Sequence, residues 1–517
     1  MKIRRSIALT ISLLVAGSSA SAGAQTRASA SGPRLRIIGT NDFHGALDAR
    51  RDAAGVLRGG AAAMAAYIER AKSECAPPDC HWILLDGGDE FQGTLASNLS
   101  FGHPISQIFD GLDYTAAALG NHEFDWGRDT LKARMREERY SVLAANVRFD
   151  DGRDVPWLRD DTLVTRGPFK VGIIGVLTRS TQTSAKASMI AGLRFDDPAP
   201  IIDSLARKLR GQGANKIVVV GHIGGFCDAT GAGNCRGEVF DIVRALKEHV
   251  DVVIAGHSHS LINTEINGTA IVEAFMWGRG IDVVDVPLDP ATPTRREVRA
   301  VFADSVTPDP VVAQRVASAQ KAVAALASKV VATLAQDLPY SSEDDEHSPL
   351  GNVTADAMRA AGHADFAVMN HGGVRAPLRA GTVRYSDVFE VQPFGNVLYK
   401  LTAKGADMRQ YFEKIVSRRR PNAWVSGLSI VYDSTRALGS RITSIVLADG
   451  KSLDDAATYT VVINDFMLTG GSGLGFPGQP IASEAMNIVD LDALIAYLKS
   501  LPQPVNVKPE TRIRAGS

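Results

Sequence analysis

The chain has 517 residues, too many for one ordinary core, and a prior of about 150 residues per domain implies two to four domains. Its 45% apolar and 22% charged residues are ordinary for a soluble globular protein. A formal net charge of −1 leaves no basic footprint for a nucleic-acid polymer and no acidic tail, so small-molecule chemistry stays open.

The chain opens as an export signal. Lys2, Arg4 and Arg5 form a positive segment, Ile7 to Val15 is apolar, and Ala22-Gly23-Ala24 is a small-x-small cleavage pattern, so residues 1–24 read as a leader and Gln25 as the mature start. The apolar run falls short of the ~20 residues a bilayer span needs, and no later segment is long enough either, so no stable membrane insertion is expected. Export exposes thiols to oxidation. The four cysteines allow three connectivities; short loops favour Cys75 with Cys80 and Cys227 with Cys235. A cysteine zinc site is the alternative, with spacings of five and eight where two to four is usual.

From Leu35 to about residue 290, short apolar runs alternate with helical stretches, the pattern of a layered α/β domain. The predicted strands are Leu35–Ile38, Trp82–Leu85, Thr115–Leu119, Lys170–Val176, Ile217–Val220 and Val252–Ala255; helices are predicted at Ala61–Lys72 and Ile201–Leu209. Pro293 to Pro310 reads as a connection. Val311 to Ala335 is Ala-rich without Gly or Pro and is predicted as a long linker helix, placed at 308–335. A second αβ unit follows over 336–517, with a helix at Leu350–Ala361, strands at Phe366–Met369, Leu428–Tyr432 and Thr460–Ile463, and a Gly-rich loop from Gly470 to Gly478.

The chemistry-bearing residues follow the strands. Leu35–Ile38 is followed by Asp42-x-His44, Trp82–Leu85 by Gly88-Asp89, and Thr115–Leu119 by Gly120-Asn121-His122-Glu123-Phe124-Asp125. Ile217–Val220 leads into Gly221-His222, and Val252–Ala255 into Gly256-His257-x-His259. In open α/β sheets, sites form beyond the carboxyl ends of strands, so five such segments can converge. Asp oxygens, His nitrogens and an Asn carbonyl suit Zn, Mn or similar divalent ions, and a carboxylate between two ions completes a two-metal site. Five of the eleven histidines lie in these segments. Each signal alone is weak; five in order at strand ends are not.

These motifs, in this order, resemble the signature of calcineurin-like metallophosphoesterases. Thr40-Asn41-Asp42-Phe43-His44-Gly45 and the Gly120–Asp125 segment are similar to the 5′-nucleotidase branch. In the second half, Asn370-His371-Gly372-Gly373-Val374-Arg375, Gln392-Pro393-Phe394-Gly395-Asn396 and Asn464-Asp465-Phe466 with Gly470-Gly471 resemble its substrate-binding segments. The resemblance implies a four-layer α/β/β/α catalytic domain over 33–300 and a C-terminal α/β substrate-binding domain over 336–517. It implies two divalent metal ions, one held by Asp42, His44, Asp89 and His259, the other by Asp89, Asn121, His222 and His257, with Asp89 bridging. His122 would contact the phosphate, oriented by Asp125. Arg375 would clamp phosphate, Phe394 and Phe466 would sandwich a base, and Asn370 would shape the same loop or touch substrate. Trp424 reads as packing.

Two positions depart from the family pattern. Acidic Asp344 stands near where an Arg reaches the substrate phosphates, and Ser472 stands where an Asp commonly contacts ribose hydroxyls. The Arg418–Arg420 run offers compensating charge. The leading expectation is hydrolysis of nucleoside 5′-monophosphates, with nucleotide sugars or di- and triphosphates as further substrates, by a metal-activated water. The alternatives are a 2′,3′-cyclic-nucleotide phosphodiesterase with 3′-nucleotidase activity and, less favoured by an intact ligand set, a non-catalytic nucleotide-binding protein. The expected partner is a small-molecule nucleotide; nothing in the residues sets an oligomeric state.

Overall fold

The computed structural model describes residues 32–516 apart from 53, 340–347 and 419. The leader at residues 1–24 and the acidic stretch containing Asp344 lie outside the described residues.

The first domain is built on two six-stranded sheets. One runs in the order Arg295–Ala300, Gly280–Pro287, Arg34–Thr40, Cys80–Asp86, Ala116–Ala118, Ser141–Leu143, its last four strands parallel. The other runs Leu261–Ile266, Thr269–Ala274, Val252–Ile254, Lys216–His222, Phe169–Leu177, Asp161–Arg166, parallel at its centre and antiparallel at both edges. The strands read as unbroken apolar runs because both faces are buried. Along Arg34–Thr40, Leu35 and Ile37 meet Val218, Val220 and Ile254 between the sheets, while Ile38 points outward to Met64, Ile68, Ile105 and Phe109 of the helices Ala61–Ser73 and His103–Gly111. On the far side, Ile217, Val219 and Val253 pack on Ile202, Leu209 and Phe240 from the helices Pro198–Gly211 and Glu238–Ala245. Helix, sheet, sheet and helix make the four layers.

Register aligns the strand ends. Thr40 pairs with Asp86 and Asp86 with Ala117, so the loops carrying Asp42, Asp89 and Asn121 leave one edge together. Helix starts are set locally: Asp197 caps Pro198–Gly211 by accepting from Ala199 N at 3.1 Å, with Pro198 in the first turn. Such a cap is worth about 1 kcal/mol.

The second domain centres on a five-stranded sheet, Ala423–Ser426, Phe366–Asn370, Thr458–Asn464, Val397–Lys404, Ala482–Val489. One face is covered by the helices Pro349–Gly362 and Asp490–Ser500 through Leu350, Met358, Leu491 and Leu494, the other by Gly405–Ile415 through Met408, Phe412 and Ile415.

The linker expected as a helix over 308–335 is shorter. The helix is Pro310–Ala327, and Val330–Leu334 is a strand paired antiparallel with Gly381–Arg384. Alanine composition carries the helix only to Ala327; beyond it Val330 and Val331 are β-branched and find a strand partner. Nor is the helix a free spacer. Val312 and Val316 are buried in the first-domain core, while Val323, Leu326 and Ala327 pack on the second-domain core.

Cys75–Cys80 and Cys227–Cys235 are disulfides and no cysteine is free, which removes the cysteine zinc site. Among the described residues, no helix is long and apolar enough to cross a membrane. The domains meet through Arg50 with Glu390 at 3.1 Å, Asn98 Nδ2 donating to Pro393 O at 3.0 Å, and Lys186 with Asp465 at 3.6 Å.

Candidate active site

The loops after the strands are held in an unfavourable backbone conformation. Asp42, His44, Asp89, His257 and His259 have φ of 48°, 50°, 59°, 79° and 55°. Left-handed φ at a non-glycine residue costs about 1–3 kcal/mol and persists only where the surroundings over-determine it. Here Asp42 N donates to Gly88 O and His44 N to Asp89 O, both at 2.9 Å, and His257 N donates to Asp42 Oδ2, also at 2.9 Å. Gly120 is a spatial requirement: a Cβ there would stand 2.1 Å from Asp89 Oδ1.

Two groups of ligand atoms result, Asp42 with His44 and His259, and Asp89 with His222 and His257; within each, one atom per residue lies within 4.8 Å of the others. Asp89 Oδ2 is 3.1 Å from His222 Nε2 and 3.8 Å from His44 Nε2, so it faces both groups. Asn121 Oδ1 is 3.1 Å from His222 Nε2.

The donor chemistry fits metal ions. His44 Nδ1 lies 3.0 Å from Gln92 O and His222 Nδ1 2.9 Å from Gly87 O. A carbonyl only accepts, so both Nδ1 atoms carry a proton, and in the neutral, ligating form both Nε2 atoms turn lone pairs inward. The His222 lone pair then meets Asp89, Asn121 and, at 3.2 Å, His257 Nδ1; His44 Nε2 meets His259 Nε2 at 3.0 Å. Lone pairs crowd together like this only around positive charge. A proton can supply that charge as an ion can, and the carboxylates favour one on His222. Against the penalty of burial, the Asp89 carboxylate lifts His222 to about 10, while burial and then His222 push His257 down to about 3. Burial opposes ionisation of Asp42, yet His259 and His222 hold it at about 2.

His122 belongs to neither group. Its Nδ1 is 2.8 Å from Asp125 Oδ2 and its backbone N donates to Asp89 Oδ1 at 2.9 Å. Burial works against its charged form, but Asp125 and Asp89 outweigh this and raise its pKa. From the second domain, Arg375 Nη2 comes to 3.4 Å from His44 Nε2, and the Phe394 ring stacks on His122 at 5.3 Å and 21°. Arg375 also lies 5.7 Å from the Phe394 ring centre. Asn370, Phe466 and Ser472 gather in a second cluster. Asn464 Nδ2 donates to Asn370 Oδ1 at 3.1 Å, Asn370 Nδ2 reaches Ser472 Oγ at 3.5 Å, and Gly471 sits against the Phe466 ring. Trp424 is buried against the His371 ring.

Several supporting residues escaped sequence reasoning. Glu123 accepts from the backbone N of Asp89, Glu90 and Gly120 at 3.0, 2.8 and 2.7 Å and so shapes the Asp89 loop; burial and then Asp89 push its carboxyl up to about 7. It stands in the Gly120–Asp125 motif, so the signal was present without a role. Asn41 donates to Asp42 Oδ2 at 2.7 Å, and Ser180 Oγ lies 3.1 Å from His257 Nε2. Asn41 stands in the Thr40–Gly45 motif without a role of its own, and no motif marks Ser180.

Residues 35–261 match the calcineurin-like phosphoesterase model and residues 326–479 the 5′-nucleotidase C-terminal domain model. The chain belongs to the 5′-nucleotidase family of metal-dependent phosphoester hydrolases. It is similar to a 5′-nucleotidase precursor from Thermus thermophilus, with 28% identity, a TM-score of 0.83, and 93% of this chain and 99% of that chain covered. It is 31% identical to endonuclease YhcR of Bacillus subtilis (strain 168) over 93% of this chain, and spans 41% of that protein's length. A 5′-nucleotidase of Vibrio cholerae serotype O1 is 25% identical over 92% of this chain and 91% of its own.

Proposed function

We propose that the protein is an exported two-metal phosphoesterase that hydrolyses nucleoside 5′-monophosphates to nucleoside and phosphate. The observation that carries this reading is the pair of adjacent ligand groups with Asp89 facing both, and Arg375 beside His44. Asp42, His44, Asp89 and His259 would hold one ion, and Asp89, Asn121, His222 and His257 the other. When bound, two divalent ions supply charge stabilisation and activate a water for in-line attack on phosphorus.

The chain's own residues do the rest. Asp125 occupies His122 Nδ1 and leaves Nε2 to meet the phosphate as charge develops. Arg375 presents a planar fork that pairs two phosphate oxygens. Phe394 and Phe466 offer ring faces to a base, and Asn370 and Ser472 offer neutral hydrogen-bonding groups to the sugar. Two disulfides suit an oxidising compartment, which agrees with the leader.

A hydrolysis screen with Zn, Mn and Co, read by separation of the products as well as by phosphate release, tests this over 5′-AMP, 3′-AMP, 2′,3′-cyclic AMP, a nucleotide sugar and single-stranded DNA. The expected result is release from 5′-AMP above every other substrate. Preference for the cyclic or 3′-phosphate would replace the reading with the phosphodiesterase alternative, and cleavage of the polymer alone would move it toward the activity named for the Bacillus subtilis relative. His122→Ala should lower kcat about 10²–10³-fold with metal content unchanged.

A further inference from the structure

The histidines of the metal groups are oriented in two different ways. His44 and His222 give their Nδ1 protons to main-chain carbonyls, which no substitution of a neighbour's side chain removes. His257 is turned around. Its Nδ1 faces inward, 3.2 Å from His222 Nε2, and its Nε2 lies 3.1 Å from the Ser180 hydroxyl. A hydroxyl can donate or accept, so Ser180 alone does not say which His257 nitrogen holds the proton.

The residues behind Ser180 decide it. Ser180 Oγ is 2.9 Å from Thr178 Oγ1, and Thr178 Oγ1 is 2.5 Å from Glu238 Oε2. A carboxylate only accepts, so the Thr178 proton goes to Glu238. Thr178 Oγ1 is then an acceptor, filled by the Ser180 hydroxyl and, at 3.1 Å, by Ser180 N. With its one proton committed, Ser180 Oγ accepts from His257 Nε2–H. The inward Nδ1 is left with a lone pair, the form a metal ligand needs. The anchor is firm: Thr178 is fully buried, its N donates to His222 O at 2.9 Å, and Glu238 Oε1 accepts from Arg179 N at 3.2 Å.

We propose that Glu238, Thr178 and Ser180 form a hydroxyl relay that fixes the tautomer of His257, making them positioning residues for the ion held by Asp89, His222 and His257. This rests on the two-metal reading above. The relay segment also reaches the second domain: Thr181–Ser184 packs on the Gly471–Gly473 turn beside Ser472, and Lys186 pairs with Asp465 at 3.6 Å.

The test is Zn²⁺ binding to metal-stripped full-length protein by chelator competition, with ¹⁵N-histidine NMR reporting tautomers. Ser180→Ala and Thr178→Val should each weaken one of two Zn²⁺ equivalents about 10- to 100-fold, and Thr178→Ser should restore it. The His257 nitrogen signals should shift from one defined tautomer to a mixture. Both equivalents retained at wild-type affinity with unchanged His257 signals would overturn the relay, as would a Thr178→Ser protein as weak as Thr178→Val, since packing and not the hydroxyl would then matter. Should Thr178→Val fail to fold, exposed Ser180→Ala decides alone. Wild-type protein that takes up no Zn²⁺ would sink the metal reading, an outcome distinct from any difference among variants.

Discussion

The two walls of the cleft hold their side chains differently. On the first-domain wall, Asp42, His44, Asp89 and His222 are at most 2% exposed and stand at strand ends in backbone held by hydrogen bonds from neighbouring loops. On the second-domain wall, Arg375 and Phe394 reach in from loops and Phe466 from the short helix Asp465–Leu468, and all three stay half-buried. The buried wall is suited to holding fixed positive charge, because an empty set of inward lone pairs is costly. The loop wall is suited to accepting different substrates, since a guanidinium and ring faces work without a single fixed geometry. On the proposed reading, chemistry and selectivity sit on different domains, joined by Arg50–Glu390, Asn98–Pro393 and Lys186–Asp465.

The sharpest way to break that division is at Asp89. Asp89→Asn should lose at least one ion and cut hydrolysis by more than the ~10²–10³-fold expected for one charge-stabilising donor, read as metal per protein and phosphate release. Full metal occupancy in that variant would remove Asp89 as the shared ligand. A smaller effect is expected on the other wall. Arg375→Ala should raise KM and lower kcat/KM about 10- to 100-fold, the loss of a charged hydrogen bond, with metal content intact. A loss of metal there would mean the second domain helps to build the centre.

A third effect concerns stability and not activity. Asp490 is 1% exposed and shares its carboxyl between Leu491 N at 2.9 Å and Asn396 Nδ2 at 3.2 Å, two residues from Phe394. Burial pushes it up to about 7, against the hydrogen bonds from Leu491 and Asn396. A raised folded-state pKa means the folded protein holds the proton where the unfolded chain has lost it. Wild-type stability from this group is therefore full below about pH 4 and falls as pH rises to about 7. Asp490→Asn should gain stability over that window, by up to ~4 kcal/mol, read as a rise in Tm. Parallel Tm–pH curves for the two proteins would refute it.

Much of the first wall could be read directly because metal coordination restricts residue types. Asp42-x-His44, Gly120-Asn121-His122 and Gly256-His257-x-His259 use residues with few other reasons to follow apolar strands between glycines. The second wall was less legible because Arg, Phe and Asn serve cores and surfaces equally well. Phe394 and Phe466 share one expected role, yet one stacks on His122 and the other lies against Gly471. The linker misled for a related reason: Ala-rich composition reports helix propensity, but whether Val330–Leu334 continues the helix depends on a strand partner far along the chain, Gly381–Arg384.

By itself, then, the order of residues determined the layered α/β class and the place of the candidate ligands at strand ends, since apolar runs, glycines and ligand chemistry are local properties. Tertiary structure alone decided which lone pairs meet around Asp89, that Arg375 comes to His44, that Glu123 shapes the Asp89 loop, and that Thr178 and Ser180 connect Glu238 to His257. Those depend on strand register and domain contact, which join residues up to 331 positions apart and leave no pattern in the chain.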